Sequence, residues 1–138
     1  MRDYGVDDYG LLFQPEVMKL LAAKLVDDYS DEEYFKDMYG FHDEVQDVLG
    51  LTYISGFDGE ARAVEDDGTG SYFPSEADYF DNDTVYYLPL CKYPGLFIKA
   101  YKNMDEIIDE LRSRVGEYLP DDFDYRSNIR HFMGTYFG

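Results

Sequence analysis

The sequence predicts an α+β fold: N-terminal helices, a small, mostly antiparallel sheet of three to four strands, and C-terminal helices. Three observations lead there. Helical apolar spacing with clear start signals holds from Pro15 to Leu49, and again from Met104 onward. Between these segments, β-branched and aromatic runs are separated by Gly- and Asp-rich turn residues. The length of 138 residues suits one domain, spanning 1–138, with enough chain to bury a core without staples.

Pro15 is tolerated in a first helical turn and opens a pattern of Val17, Met18, Leu20, Leu21 and Leu25. Ser30-Asp31-Glu32-Glu33 is a capping box that starts a second helix, running to about Met38 and stopped by Gly40. A third short helix is predicted over His42–Leu49, with Val45, Val48 and Leu49 on one face and Gly50 closing it. Leu51–Ile54 and Glu60–Val64 read as the two strands of a hairpin, turned by Gly56-Phe57-Asp58-Gly59. Thr84–Leu88 is a third strand, and Pro89 and Pro94 suggest that it ends at an edge or irregularly. Leu96–Tyr101 suits a strand or a short helix, which so short an apolar run does not separate. Asn103 caps the clearest helix, with Met104, Ile107, Ile108, Leu111 and Val115 on one stripe. Its acids come early and Arg112 and Arg114 late, as the helix dipole favours. Pro120 ends it. Asp124 then caps a last helix with Ile129, Phe132, Met133 and Tyr136 inward, stopping near Gly134.

Composition narrows the function. Fifteen Tyr and ten Phe are too many for a disordered acidic tail, so the chain is expected to fold despite its charge. The single cysteine, Cys91, excludes an internal disulfide and any multi-cysteine zinc site. No apolar run approaches the ~18 residues of a membrane span, and MRDYGVDDYG lacks signal-peptide features. A cytoplasmic protein is expected. The net charge of −18 disfavours direct contact with nucleic acid or an anionic membrane. It favours cations and basic surfaces. Residues 1–50 hold 13 acids and 4 bases, residues 51–90 hold 9 and 1, and residues 91–138 hold 8 and 7. The excess therefore lies before Cys91.

The stretch AVEDDGTGSYFPSEADYFDNDT, Ala63 to Thr84, has seven acids and no lysine or arginine. Within it, Glu65, Asp67, Thr69, Gly70, Ser71, Phe73 and Glu76 partly follow the spacing of an EF-hand calcium loop. Glu stands at the first position where Asp is usual, Thr is a poor fifth ligand, and Pro74 stiffens the second half. Strand patterns flank the loop where an EF-hand needs helices. A weak calcium-binding module over 65–76 is thus a minor alternative, and no metal site or cofactor is expected. His42 and His131 show no metal-binding spacing, and Cys91 beside either would be the only conceivable nucleophile and base. With no phosphate-binding glycine loop either, no enzymatic activity is expected. Tyr72, Phe73, Tyr79 and Phe80 alternate with acids, which suits either pinning a loop to the core or anchoring a partner.

The acidic, aromatic-rich layout of helices, sheet and helices resembles the small DNA-mimicking inhibitors of mobile elements, the anti-restriction and anti-CRISPR proteins. Residues 84–138, YYLPLCKYPGLFIKAYKNMDEIIDELRSRVGEYLPDDFDYRSNIRHFMGTYFG with its preceding Thr84-Val85, are also similar to uncharacterised mobile-element proteins of Gram-positive bacteria. The resemblance implies a non-enzymatic inhibitor that meets the basic nucleic-acid site of a defence nuclease. The partner-binding residues expected from the charge are Asp58, Glu60, Glu65, Asp66, Asp67, Glu76, Asp78, Asp81 and Asp83, with Tyr72 and Tyr79 as anchors. The near-neutral C-terminal part would be scaffold. An accessory protein that docks through aromatic patches is the alternative of a different class.

Overall fold

A computed structural model describes residues 3–64, 72–90 and 104–137, and turn and cap chemistry divides these described residues into ten elements. They are β1 (Asp3–Phe13), α1 (Pro15–Leu25), α2 (Asp31–Lys36), α3 (Met38–Leu49), β2 (Thr52–Val64), β3 (Tyr72–Pro89), α4 (Met104–Val115), a 3-10 turn (Gly116–Tyr118), α5 (Tyr125–Asn128) and β4 (Ile129–Phe137). The class is α+β, with four antiparallel strands. Among the described residues, no helix is long and apolar enough to cross a membrane.

Local signals act as expected at the helix ends. Pro15 stands at the start of α1. The Ser30 hydroxyl accepts from the Glu33 amide and caps α2. Gly50 ends α3 in the left-handed conformation, φ +72°. One boundary differs. Gly40 does not stop a helix but sits in the first turn of α3, where its amide donates to Asp37 Oδ1 at 3.1 Å. Asp37 is a better N-cap than Gly40 is a stop, so α3 starts four residues before His42.

The strands close into a barrel in the order β1-β3-β2-β4, and every pair is antiparallel. Three corrections to the predicted elements follow. β1 is absent from the predicted set because Asp3, Gly5, Asp7, Asp8 and Gly10 interrupt its apolar alternation. It nonetheless pairs with β4 from Asp3 to Leu11 and with β3 from Gly10 to Phe13. The predicted hairpin at Gly56–Gly59 is one bent strand, β2. Gly56 takes φ +70°, and register shifts between Ile54 and Gly59 are bulges that turn the strand without reversing it. The predicted last helix is a single turn, α5, and then β4. Ile129, Phe132, Met133 and Tyr136 do fit a helical stripe, but pairing with β1 and β2 on both sides overrides it.

Strand alternation sorts side chains into two cores. Leu12, Ile54, Phe57, Val85, Tyr87 and Phe132 fill the barrel. Leu11, Phe13, Tyr86 and Leu88 point the other way, onto Met18 and Leu21 of α1, Val45 of α3 and Leu111 of α4. One wall of the barrel is therefore the floor of the helical layer.

The barrel is narrow. Gly59 faces Gly134 across β2 and β4, and a Cβ on Gly134 would lie 2.6 Å from the Gly59 Cα and collide with the Asp58 carbonyl oxygen. Asp8 also enters the interior. Its Oδ2 accepts from the Tyr87 hydroxyl at 2.7 Å, and its Oδ1 from the Tyr9 amide at 3.0 Å. Burial raises the Asp8 pKa, and these hydrogen bonds only partly oppose it.

Two outcomes are expected. Gly134→Ala should destabilise the fold by about 1–3 kcal/mol through overpacking, read from urea denaturation; an unchanged midpoint would mean that the strands separate freely. A carboxyl whose folded pKa is raised loses stability as pH climbs from its unfolded to its folded value. Asp8→Asn should therefore stabilise the protein at neutral pH, and the gain should shrink as pH falls toward the unfolded carboxyl range. A larger loss at neutral than at acid pH would show that hydrogen bonding to the charged form outweighs burial.

Candidate functional site

The predicted partner-binding residues divide sharply once placed. Glu65, Asp66 and Asp67 lie outside the described residues, as does Cys91. Tyr72 and Glu76 lie on the backbone of β3, Tyr72 opposite Val64. Asp58, Asp81 and Asp83 come together at the bulge between β2 and β3. There the Asn82 amide donates to Asp58 Oδ1 at 2.6 Å, and the Asp81 amide donates to Asp83 Oδ2 at 3.2 Å. Asn82 takes φ +58°, which Asn tolerates, and the three carboxylates are exposed.

Glu60 and Asp78 serve the fold. Glu60 pairs with Arg62 at 2.5 Å, and Asp78 with the buried Arg130 at 3.5 Å. Arg130 also donates to the Ala61 carbonyl. These acids neutralise arginines that the barrel half-encloses, so they are less available to a partner. Tyr79 is 73% exposed, whereas its neighbour Phe80 turns inward against Phe57. Alternation on one strand thus splits the aromatics that the sequence groups together.

The EF-hand spacing meets a strand. β2 runs to Val64 and β3 starts at Tyr72, so the ninth and twelfth positions, Phe73 and Glu76, fall on β3 and not on a loop entering a helix. Among the described residues, no group of three or more His, Cys, Asp or Glu side chains is arranged to hold a metal ion. The histidines lie in different places. His131 stacks on Tyr9 at 4.3 Å and meets Asp7 at 2.5 Å, while His42 is buried in the helical layer.

A second acidic surface is on the helices. From Asp27 to Asp47 there are nine exposed carboxylates and one lysine. Lys36 is shared between Glu32 and Glu33. α3 buries Phe41, Val45 and Leu49 four residues apart, which leaves Asp43, Glu44 and Asp47 outward. No described cation pairs with those three. In the sequence these acids are the polar complement of the apolar stripe of α3, a less conspicuous signal than the run of acids in the turn-rich segment 58–83.

Beside this surface lies a cavity of about 350 Å³ between α3 and the barrel. Phe13 of β1, Met38, Tyr39 and His42 of α3, and Asp83 and Tyr86 of β3 are among its walls. His42 is 3% exposed. Its Nε2 lies 2.9 Å from the Tyr34 hydroxyl, and its ring stands edge-on to Tyr86 at 5.0 Å. Its Nδ1 is buried with no hydrogen-bond partner among the described residues. Burial lowers the His42 pKa more than the nearby Asp43 charge raises it, which favours the neutral ring. Burial, aided by Asp43, pushes the Tyr86 hydroxyl up to about 12. Phe35 and Tyr39 are exposed nearby on the same helical layer, at 75% and 61%. No protein-family model, curated protein or solved structure matches the chain.

Proposed function

We propose that this protein is a non-enzymatic, cytoplasmic inhibitor encoded by a bacterial mobile element. It binds the basic nucleic-acid site of a defence nuclease, a CRISPR effector or a restriction enzyme, by mimicking a polyanion. One observation carries the reading: nine exposed carboxylates against one lysine between Asp27 and Asp47. Their net charge of −8 equals the phosphates of roughly four base pairs, at two per pair. Three of the nine, Asp43, Glu44 and Asp47, lie on α3, and the other six lie on α2 and the turns that flank it. Carboxylates held on the helical layer can therefore present phosphate-like charges to arginines and lysines. Charge-assisted hydrogen bonds would hold the complex, and long-range attraction would speed its formation.

The cluster Asp58, Asp81 and Asp83 extends the acidic surface onto the barrel. A second reading, an accessory protein that docks through aromatic patches, is favoured by the exposure of Phe35, Tyr39 and Tyr53. Salt separates the two, because an apolar interface responds weakly to ionic strength.

The test is DNA cleavage by a panel of purified CRISPR effectors and restriction enzymes, with and without the protein, at low and moderate salt. The expected result is inhibition of at least one enzyme that weakens with salt and is relieved by added duplex DNA. Combined charge reversal, Asp43→Lys with Glu44→Lys and Asp47→Lys, should weaken that inhibition on the order of tenfold or more while circular dichroism stays unchanged. A parallel reversal of Glu65, Asp66 and Asp67 to Lys compares the loop with the helix. No inhibition across the panel, or inhibition indifferent to salt and to both reversals, would sink polyanion mimicry.

A further inference from the structure

We propose that the cavity between α3 and the barrel receives an arginine side chain of the partner, a refinement that rests on the polyanion reading. Four features favour this occupant over others. The volume, about 350 Å³, lies at the small end of ligand pockets, which suits one side chain better than a large cofactor. Tyr39 and Tyr86 offer aromatic surface, on which a planar guanidinium stacks and a compact, strongly hydrated ammonium does so less well. Asp83 supplies a carboxylate among the cavity walls. His42, which also lines this space, supplies a buried ring nitrogen, Nδ1, with no hydrogen-bond partner among the described residues.

The tautomer follows from the guest. Arginine carries only donors, so the ring nitrogen that meets it must accept. His42 would then donate its Nε2–H to the Tyr34 oxygen and keep the Nδ1 lone pair free for the guanidinium. A protonated imidazole would have no acceptor and would repel the guest. Burial of His42 keeps the ring neutral and so suits a cationic occupant. The acids outside the cavity complement the partner's charge. Asp43 influences both His42 and Tyr86, so the acidic face of α3 reaches the aromatic wall.

The experiment uses the intact protein and three blocked glycine-flanked peptides of equal length, bearing arginine, lysine or leucine. Binding is followed by nuclear magnetic resonance of backbone amides and of the His42 ring nitrogens. The arginine peptide should bind most tightly, shift Tyr39, Asp83 and Thr84, and move the His42 Nδ1 resonance. Tyr39→Ala should weaken it by roughly two- to fivefold, the size of an exposed cation–aromatic contact. Asp83→Asn should weaken it too, whereas Asp47→Asn, outside the cavity wall, should have a smaller effect. Tyr39 and Asp83 are exposed, so neither change threatens the fold.

Equal binding of lysine and arginine would reduce the site to charge and overturn the proposal. Preference for the leucine peptide would make it an apolar pocket and also overturn it. Arginine binding with no nuclease inhibited would keep the cavity assignment and remove the defence-inhibitor reading. Inhibition without arginine-induced shifts at His42 would do the reverse.

Discussion

The backbone contact between Gly59 and Gly134 is the constraint on which the rest of the structure depends. Four strands enclose very little space. Phe57, Phe132 and Tyr87 take most of it, and the chain must elsewhere approach to distances that no Cβ permits. Glycine at both facing positions allows β4 to lie against β2 while it also pairs with β1. Once closed, the barrel gives β1 a neighbour on each edge, and its outward residues become a fixed wall. The helices pack on that wall. The position of α3, and so of its acidic face and of the cavity beside it, follows from a contact on the far strands.

The helices were legible because their signals are local. Ser30 and Gly50 act through the next few residues, and the apolar stripes of α1, α3 and α4 need only their own spacing, although Leu20 and Val48, read into the first two stripes, stand exposed. The barrel was not legible, because its signals are distant. β1 carries five Asp and Gly residues among the eight from Asp3 to Gly10, and it is a strand only because β3 and β4 supply partners. Gly56 looks like a turn residue, but it lies within β2, where the bulge redirects the strand instead of folding it back. In β4 the apolar spacing fits a helix, and only the pairing partners make the segment a strand. Part of the site shares this limit. That acids gather near residues 58–83 is plain from composition. That Glu60 and Asp78 are taken by Arg62 and Arg130 depends on which strand faces which.

A charge of −18 opposes compaction, and the structure shows how the opposition is contained. Apolar packing is doubled, with one core inside the barrel and another beneath the helices. Beside the barrel, Glu60 and Asp78 are matched to Arg62 and Arg130, and most of the remaining described acids sit outward at high dielectric, where repulsion is screened. The surface salt bridges around Lys36 add little by themselves. Among the described residues, Lys19 and Lys36 pair with three of the nine carboxylates of the helical layer, Asp31, Glu32 and Glu33, and a strong core tolerates the rest. Tolerance alone is no function, but it leaves a surface whose charge is not consumed by the fold.

Under the proposed reading, charge and cavity would do different work. A field of carboxylates attracts every cation alike, including lysine-rich surfaces, polyamines and metal ions. It acts over about 8 Å at physiological ionic strength, so it raises encounter rates more than it discriminates between partners. Discrimination needs contacts that a wrong partner cannot satisfy. Aromatic rings beside a buried imidazole with an unused nitrogen meet that need, because their geometry rewards a flat donor and leaves a round ammonium partly desolvated without equal return. Association would then be set by Asp43, Glu44, Asp47 and the other exposed acids, and would fall with salt. Dissociation would be set by Tyr39, His42, Asp83 and Tyr86, and would change little. The two surfaces lie side by side because α3 carries the acids on its outer face and His42 on its buried one, so a single helix joins attraction to selection.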